Sequence, residues 1–201
     1  MKKKIVNGLL AACLLTGGLS TTALAETGDT PEWMLRLNTI GVYTNDDNDL
    51  DGLFWRWYDA SGFSDNNDGN GIVVHMDVRF GGFATSDVST FGTYLGAGYQ
   101  TRLDMANPTI AYAAADLNFQ LVSIEGASDN LDDVGFGVEA GFRTAPDPRL
   151  LLEGVLRYDT NDLVDQASLR AGLSYDRFTV TLTRFFDAEA NQIELGYLFF
   201  F

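Results

Sequence analysis

Apolar and polar residues alternate with a period of two along most of this chain, and that period belongs to strands and not to helices. The clearest run sets Ile72, Val74, Met76, Val78 and Phe80 against Val73, His75, Asp77 and Arg79. A second sets Val134, Phe136, Val138, Ala140 and Phe142 against Gly135, Gly137, Glu139, Gly141 and Arg143. Leu117, Phe119 and Leu121 alternate with Asp116, Asn118 and Gln120, and Leu169, Ala171, Leu173 and Tyr175 with Ser168, Arg170, Gly172 and Ser174. Phe178, Val180 and Leu182 alternate with Thr179, Thr181 and Thr183. Helical periodicity is missing, so the chain reads as all-β, with many short strands joined by hairpins.

The N-terminus reads differently. Lys2-Lys3-Lys4, an apolar run from Ile5 through Leu19 and the small-residue site Ala23-Leu24-Ala25 form a secretory signal, residues 1–25. That leaves 26–201 as one domain. The apolar run is too short to span a bilayer as a helix, and no later stretch is long and uncharged enough. Leu10-Ala11-Ala12-Cys13 spells a lipoprotein box, but the apolar run continues through Leu14 and Leu15, and cleavage after Ala25 is preferred. Cys13 is the only cysteine, so the processed chain has no thiol chemistry. All lysines lie in the signal, which leaves Arg alone against 28 acids, an excess that excludes nucleic acid as a partner.

Alternation alone does not say whether the apolar face is a water-free core, as in a soluble lipocalin-like barrel, or a lipid-facing exterior. Three features favour lipid. The polar face is rich in Gly and carries charges of both signs, as a narrow interior requires. Aromatics gather at strand ends, Tyr99, Phe142, Tyr175, Phe178 and Phe201 at one end and Phe80, Phe91, Phe136 and Tyr158 at the other, which is a double girdle. The connections also fall into two sets. Asp187 to Asn191, Asp159 to Gln166, Glu125 to Asp133 and Asn45 to Gly52 are acidic, as outer loops; Asp176-Arg177, Thr144 to Arg149 and Arg102 to Pro108 are tight or Pro-containing, as inner turns. All four prolines then lie outside strands.

Eight strands fit between Ile72 and Phe201, and two weaker candidates, Trp33 to Tyr43 and Leu53 to Asp59, lie upstream. Ten is preferred, because Trp33, Leu35 and Leu37 alternate with Arg36 and Asn38, and Trp55 and Trp57 with Arg56. The rival is eight strands with a periplasmic extension from Glu26 to Gly71, and it stays open because the acidic, Gly-rich connection Ser61 to Gly71 is long for the inner turn that ten strands require.

The chain ends with Ile193, Leu195, Tyr197, Phe199 and Phe201 on one face and an aromatic carboxyl terminus. That ending resembles the C-terminal assembly signal of bacterial outer-membrane β-barrels, carried by Tyr197, Phe199 and Phe201. With the export signal and strand pattern, the chain is similar to the small barrels of the OmpA, OmpX and opacity-protein type, over Ile72 to Phe201 above all. The resemblance implies a closed antiparallel transmembrane meander in the outer membrane of a Gram-negative bacterium. It implies as partners outer-membrane lipid and lipopolysaccharide, the barrel assembly machinery and periplasmic chaperones. It says little of activity, since one barrel fold hosts enzymes, adhesins, plugs and pores.

Charges on the polar face form a nearly balanced inward set: Arg36, Arg56, Arg79, Arg143, Arg157 and Arg170 with Asp77, Asp116, Glu139, Glu153 and Glu194. Mutually paired, they would rigidify and block the lumen, with His75 among them; loosely paired, they would line a narrow ion path. His75 and Asp77 could instead be a general base and its orienting carboxylate, as in an omptin-like hydrolase, though no second carboxylate pair accompanies them. Asp47, Asp49 and Asp51, followed by Gly52, match the first half of a calcium loop, but Tyr58 stands where its bidentate Glu belongs. Arg184 could meet a lipopolysaccharide phosphate or simply snorkel. The favoured function is a non-enzymatic barrel with a charge-filled lumen and acidic outer loops in a structural or surface-interaction role. A narrow porin-like cation channel is the alternative, and a hydrolase using His75 and Asp77 the remote one.

Overall fold

The computed structural model describes residues 32–46, 50–60, 69–83, 88–125, 131–161 and 166–199. Residues 1–25, read from the sequence as an export signal, lie outside them, as do Asp47, Asp49 and Phe201. One helical turn, α1 (Glu32–Leu35), leads into ten strands. These are β1 (Arg36–Asn45), β2 (Leu50–Asp59), β3 (Gly71–Phe83), β4 (Val88–Leu103) and β5 (Thr109–Ile124), then β6 (Leu131–Asp147), β7 (Leu150–Asp159), β8 (Gln166–Tyr175), β9 (Phe178–Phe185) and β10 (Asn191–Leu198).

Each strand pairs antiparallel with its neighbour in sequence, and β10 returns to β1, so the meander is a closed barrel without a free edge. The seam runs from Thr39↔Leu198 to Asn45↔Gln192. Closure pairs the backbone donors and acceptors that an open sheet would leave on its two edges. The eight-strand alternative is thereby excluded, because β1 and β2 stand in the wall between β10 and β3.

The barrel is apolar outside and polar within. Phe136 and Val134 are each 65% exposed, Leu95 62% and Tyr99 59%, whereas Asp116, Asn118, Glu139 and Glu194 are buried. Water-soluble proteins do not expose an apolar belt of this extent. Outward aromatics pack along the wall, with Phe80 and Phe91 ring centroids 4.9 Å apart and Phe178 edge-on to Tyr197 at 5.7 Å. The wall is taller on one side: β4, β5 and β6 run 16, 16 and 17 residues, against eight each in β9 and β10.

Two sequence expectations fail locally. Residues before Arg36 are helical, so Trp33 and Leu35 do not continue the strand period, and β1 enters the wall in the opposite phase. Leu37 turns inward opposite Tyr58, while Arg36 turns outward and is exposed. Buried Met34, Leu35, Leu37, Ala60, Val73, Ile110, Leu151 and Leu198 form an apolar floor across the rim at which the chain enters. Pro146 lies inside β6 and not beyond it. The register slips between Thr144 and Asp147, so Pro146 occupies a bulge, where its missing amide hydrogen breaks no ladder bond.

At the same rim, β8 and β9 join through Asp176-Arg177, with Asp176 left-handed at φ 53°. Its amide donates to Arg149 O at 2.8 Å, tying this turn to the β6–β7 turn. At the opposite rim, Asp46 clasps the seam: its Oδ1 accepts from Asn191 N at 2.7 Å and its Oδ2 from Asn191 Nδ2 at 2.8 Å.

Candidate functional site: an ion-paired lumen

Strand alternation decides what fills the barrel, since every second side chain must point at the axis. Arg56 of β2, His75, Asp77 and Arg79 of β3, Asp116 of β5, Glu139 and Arg143 of β6, Glu153, Arg157 and Asp159 of β7, Arg170 of β8 and Glu194 of β10 all turn inward, and they meet as three groups.

The first group joins β10 to β2 and β3. Arg56 Nη2 stands 3.0 Å from Asp77 Oδ2 and 3.1 Å from Glu194 Oε2. Arg79 Nη2 reaches the same two carboxylates at 2.8 and 3.0 Å. Gln192 Nε2 donates to Glu194 Oε1 at 2.8 Å. Arg56 also lies over the Phe54 ring, 5.2 Å from its centroid.

Arg157 organises the second group. Its Nη1 and Nη2 donate to the two oxygens of Asp116 at 2.8 Å each, a bidentate fork. Its Nε and Nη2 hold Asp159 at 2.8 and 2.7 Å, and Nη1 reaches Glu139 Oε2 at 3.2 Å. The guanidinium sits 4.6 Å from the centroid of Tyr94. Asn118 Nδ2 donates to Asp159 at 2.9 Å. Asp159 was expected in an outer loop; as the last residue of β7 it keeps the inward parity of Glu153 and Arg157.

In the third group, Glu153 accepts from Arg143 Nε at 2.7 Å and pairs with Arg170 Nη2 at 3.2 Å. Arg143 is sandwiched by two aromatic rings, 3.5 Å from the centroid of Tyr58 and 4.7 Å from that of Tyr112. Tyr58 OH donates to Gln100 Oε1. The sequence reading did not include these tyrosines in the site, although their even-numbered positions on β2 and β5 put them on the face that carries Arg56 and Asp116.

Gly96 and Gly137 make room for this packing. A Cβ at Gly96 would collide with His75 Nε2, and one at Gly137 with Arg157 Nη2 and Asp116 Oδ1. Glycine on the polar face is therefore where the largest side chains of facing strands are stored.

His75 and Asp77 do not form the pair expected of a hydrolase. Residues two apart on a strand share a face but stand about 7 Å apart. Asp77 is taken by Arg56 and Arg79, while the carboxylates beside His75 are Asp116, 3.7 Å from Nε2, and Glu139, 3.9 Å from Nδ1. Arg184 is engaged by its own hairpin, donating to Glu189 O and, at 3.2 Å, to Asn191 Oδ1. Of the candidate calcium ligands, Asp51 sits exposed on β2, and among the described residues no cluster of three or more His, Cys, Asp or Glu side chains could hold a metal. Of the C-terminal aromatics, Tyr197 faces outward with its hydroxyl accepting from Arg177 Nη1 at 3.1 Å, and Phe199 N donates to Asn38 O at 2.9 Å.

The fold and the filled lumen together define a closed ten-strand antiparallel barrel with an apolar exterior and an ion-paired core. No protein-family model matches the chain, and no curated protein does. Among solved structures it is similar to the crystal structure of Ail, the attachment invasion locus protein of Yersinia pestis, at 16% identity and a TM-score of 0.45, over 82% of this chain and 97% of that one.

Proposed function

We propose that this is a non-enzymatic outer-membrane β-barrel whose lumen is a charge-packed plug and whose contacts with other molecules are made at its surface. The observation that carries the proposal is the inversion of polarity: apolar side chains exposed around the wall, and buried ion pairs spanning the interior. In hydrocarbon every backbone polar group needs an internal partner, and a closed barrel supplies one. The 1–25 segment provides the export route, and Tyr197, Phe199 and Phe201 the feature that assembly machinery and periplasmic chaperones would read. Lipid and lipopolysaccharide are the neighbours of the belt. Asp46, Asp132, Asp187 and Glu189 make the outer rim acidic and exposed, a surface suited to cationic partners.

Electrophoresis of detergent-extracted outer membranes, unboiled and boiled, tests this reading. The expected result is a heat-dependent mobility shift in the outer-membrane fraction. Recovery of the protein in the aqueous periplasmic fraction, without a shift, contradicts it.

A second reading, a narrow cation path, has its own support. Asp77 Oδ1, Arg79 Nε and Arg170 Nε are buried without a hydrogen-bond partner among the described residues, and such atoms recruit water.

A further inference from the structure

Where β1, β2 and the end of β10 meet at the rim that bears α1, Arg36, Asn38, Trp57, Asp59 and Phe199 line a cavity of about 110 Å³. Strand parity puts Arg36 and Asn38 of β1 and Trp57 and Asp59 of β2 on the outer face of the wall, as two rungs: Asn38 opposite Trp57, and Arg36 opposite Asp59. Phe199 closes the β10 side, its amide donating to Asn38 O at 2.9 Å. Trp55 Nε1 donates to Asn38 Oδ1 at 2.6 Å, which ties the amide side chain of the first rung to the wall.

The second rung is ionic. Arg36 and Asp59 stand 4.0 Å apart with side chains 45% and 26% exposed, so a cation and an anion are offered side by side to a molecule that enters. Away from the rim the same face turns apolar: Ile40, Leu53 and Trp55 are 54%, 58% and 42% exposed. Arg36 and Ile40 are about 13 Å apart along the strand. Opposite charges, then aromatic walls, then an apolar track is the order of a glycerophospholipid from headgroup to chains. The two charges also select the headgroup. A phosphate ester matches the guanidinium fork of Arg36, and a primary ammonium two carbons away matches Asp59 and the indole face of Trp57. A glycerol headgroup leaves Asp59 facing a like charge, and a quaternary ammonium has no hydrogen to donate to it. Arg177, on the β9 side of the seam, is engaged by the Tyr197 hydroxyl at 3.1 Å.

We infer that this cavity is a binding site for phosphatidylethanolamine, with Arg36 on the phosphate, Asp59 on the ammonium, Trp57 and Phe199 flanking the headgroup and the acyl chains along Ile40 and Trp55. The inference rests on the outer-membrane reading above, which sets this rim in the periplasmic leaflet. It gives the β1–β10 seam a lipid that bridges its two sides.

Native mass spectrometry of the barrel released from detergent micelles, titrated with phosphatidylethanolamine, phosphatidylglycerol or phosphatidylcholine of the same chains, tests the site. Wild type should retain one phosphatidylethanolamine in preference to either other lipid. Arg36→Ala should weaken that retention about three- to fivefold, the scale of a half-exposed ion pair. Asp59→Asn should weaken it similarly and turn the preference toward phosphatidylglycerol, a reversal that lost packing would not produce. Arg149→Ala, an exposed arginine on the β6–β7 turn at the same rim, should change neither. Equal retention of the three lipids by wild type, a preference that Arg36→Ala and Asp59→Asn leave intact, or an equal loss in Arg149→Ala overturns the proposal. If one variant does not fold, the wild-type comparison and the other variant decide. A heat-modifiable barrel that does not discriminate the lipids removes this site and leaves the barrel reading standing. A protein without the heat shift that keeps the preference does the reverse.

Discussion

Arg157 makes five hydrogen bonds to three carboxylates and stacks on Tyr94, more than any other lumenal side chain among the described residues. Arg157→Met keeps much of the volume but strands Asp116, Glu139 and Asp159 without their shared cation. A loss of about 3–5 kcal/mol of stability is expected, as for other broken buried pairs, read from urea unfolding by tryptophan fluorescence in lipid vesicles. Arg157→Lys should recover little of it, because a point charge cannot reproduce the bidentate fork. A loss below about 1 kcal/mol would show that the pairs are solvated and weak. Asp46 behaves differently, exposed at the rim opposite α1. The Asn191 side chain and amide hold its carboxyl below the ordinary carboxylate range. A depressed value means that the clasp is complete above about pH 4 and fails only as pH falls through the lowered value. Hydrogen exchange at the Asn191 amide should therefore show equal protection at pH 5 and 8, and lose it in Asp46→Ala at both. At this scale strand parity revealed in the sequence which charges turn inward, as with Arg79, Glu139 and Glu194. Partners were not legible. Pairing across a lumen depends on register between distant strands, so His75 looked like the neighbour of Asp77 when its neighbours come from β5 and β6.

The strands themselves were legible wherever alternation was long, as in β3 and β6, because a buried polar face and a lipid-suited apolar face fix parity at every residue. The phase of β1 was not, since Trp33 and Leu35 belong to α1 and to the apolar floor. That floor is an element-scale device: Met34 and Leu35 are fully buried and cover the rim beneath the ion pairs. Leu35→Asp puts an unpaired carboxylate among Leu37, Ile110 and Leu151, and should lower the temperature of the mobility shift while leaving the ten-strand wall assembled. An unchanged shift temperature would mean that α1 only rests on the rim. Gly137→Val tests the opposite wall. Its side chain would enter the space of Arg157 and Asp116, and a destabilisation of about 1–3 kcal/mol is expected from overpacking alone. Gly172 offers the control, because a Cβ there meets nothing closer than 3.5 Å, and Gly172→Ala should be near neutral.

Taken whole, the molecule reverses the polarity of a soluble domain: its exterior is apolar, and its lumen is held by directional pairs that stand above an apolar floor. Ten strands were readable because Trp55 and Trp57 flank an inward Arg56 well before the strongest alternation begins. Closure depends on the β1–β10 seam, a pairing of residues some 150 positions apart that no local pattern encodes. On the proposed reading this closed barrel is plugged by its own ion pairs. Single-channel recording in planar bilayers, on protein first shown to be heat-modifiable, tests it most directly. No discrete conductance is expected from wild type at neutral pH, and Arg157→Met, if it folds, should be the first variant to leak. Steady cation-selective steps from the wild-type barrel would refute the plug and establish the lumen as a path.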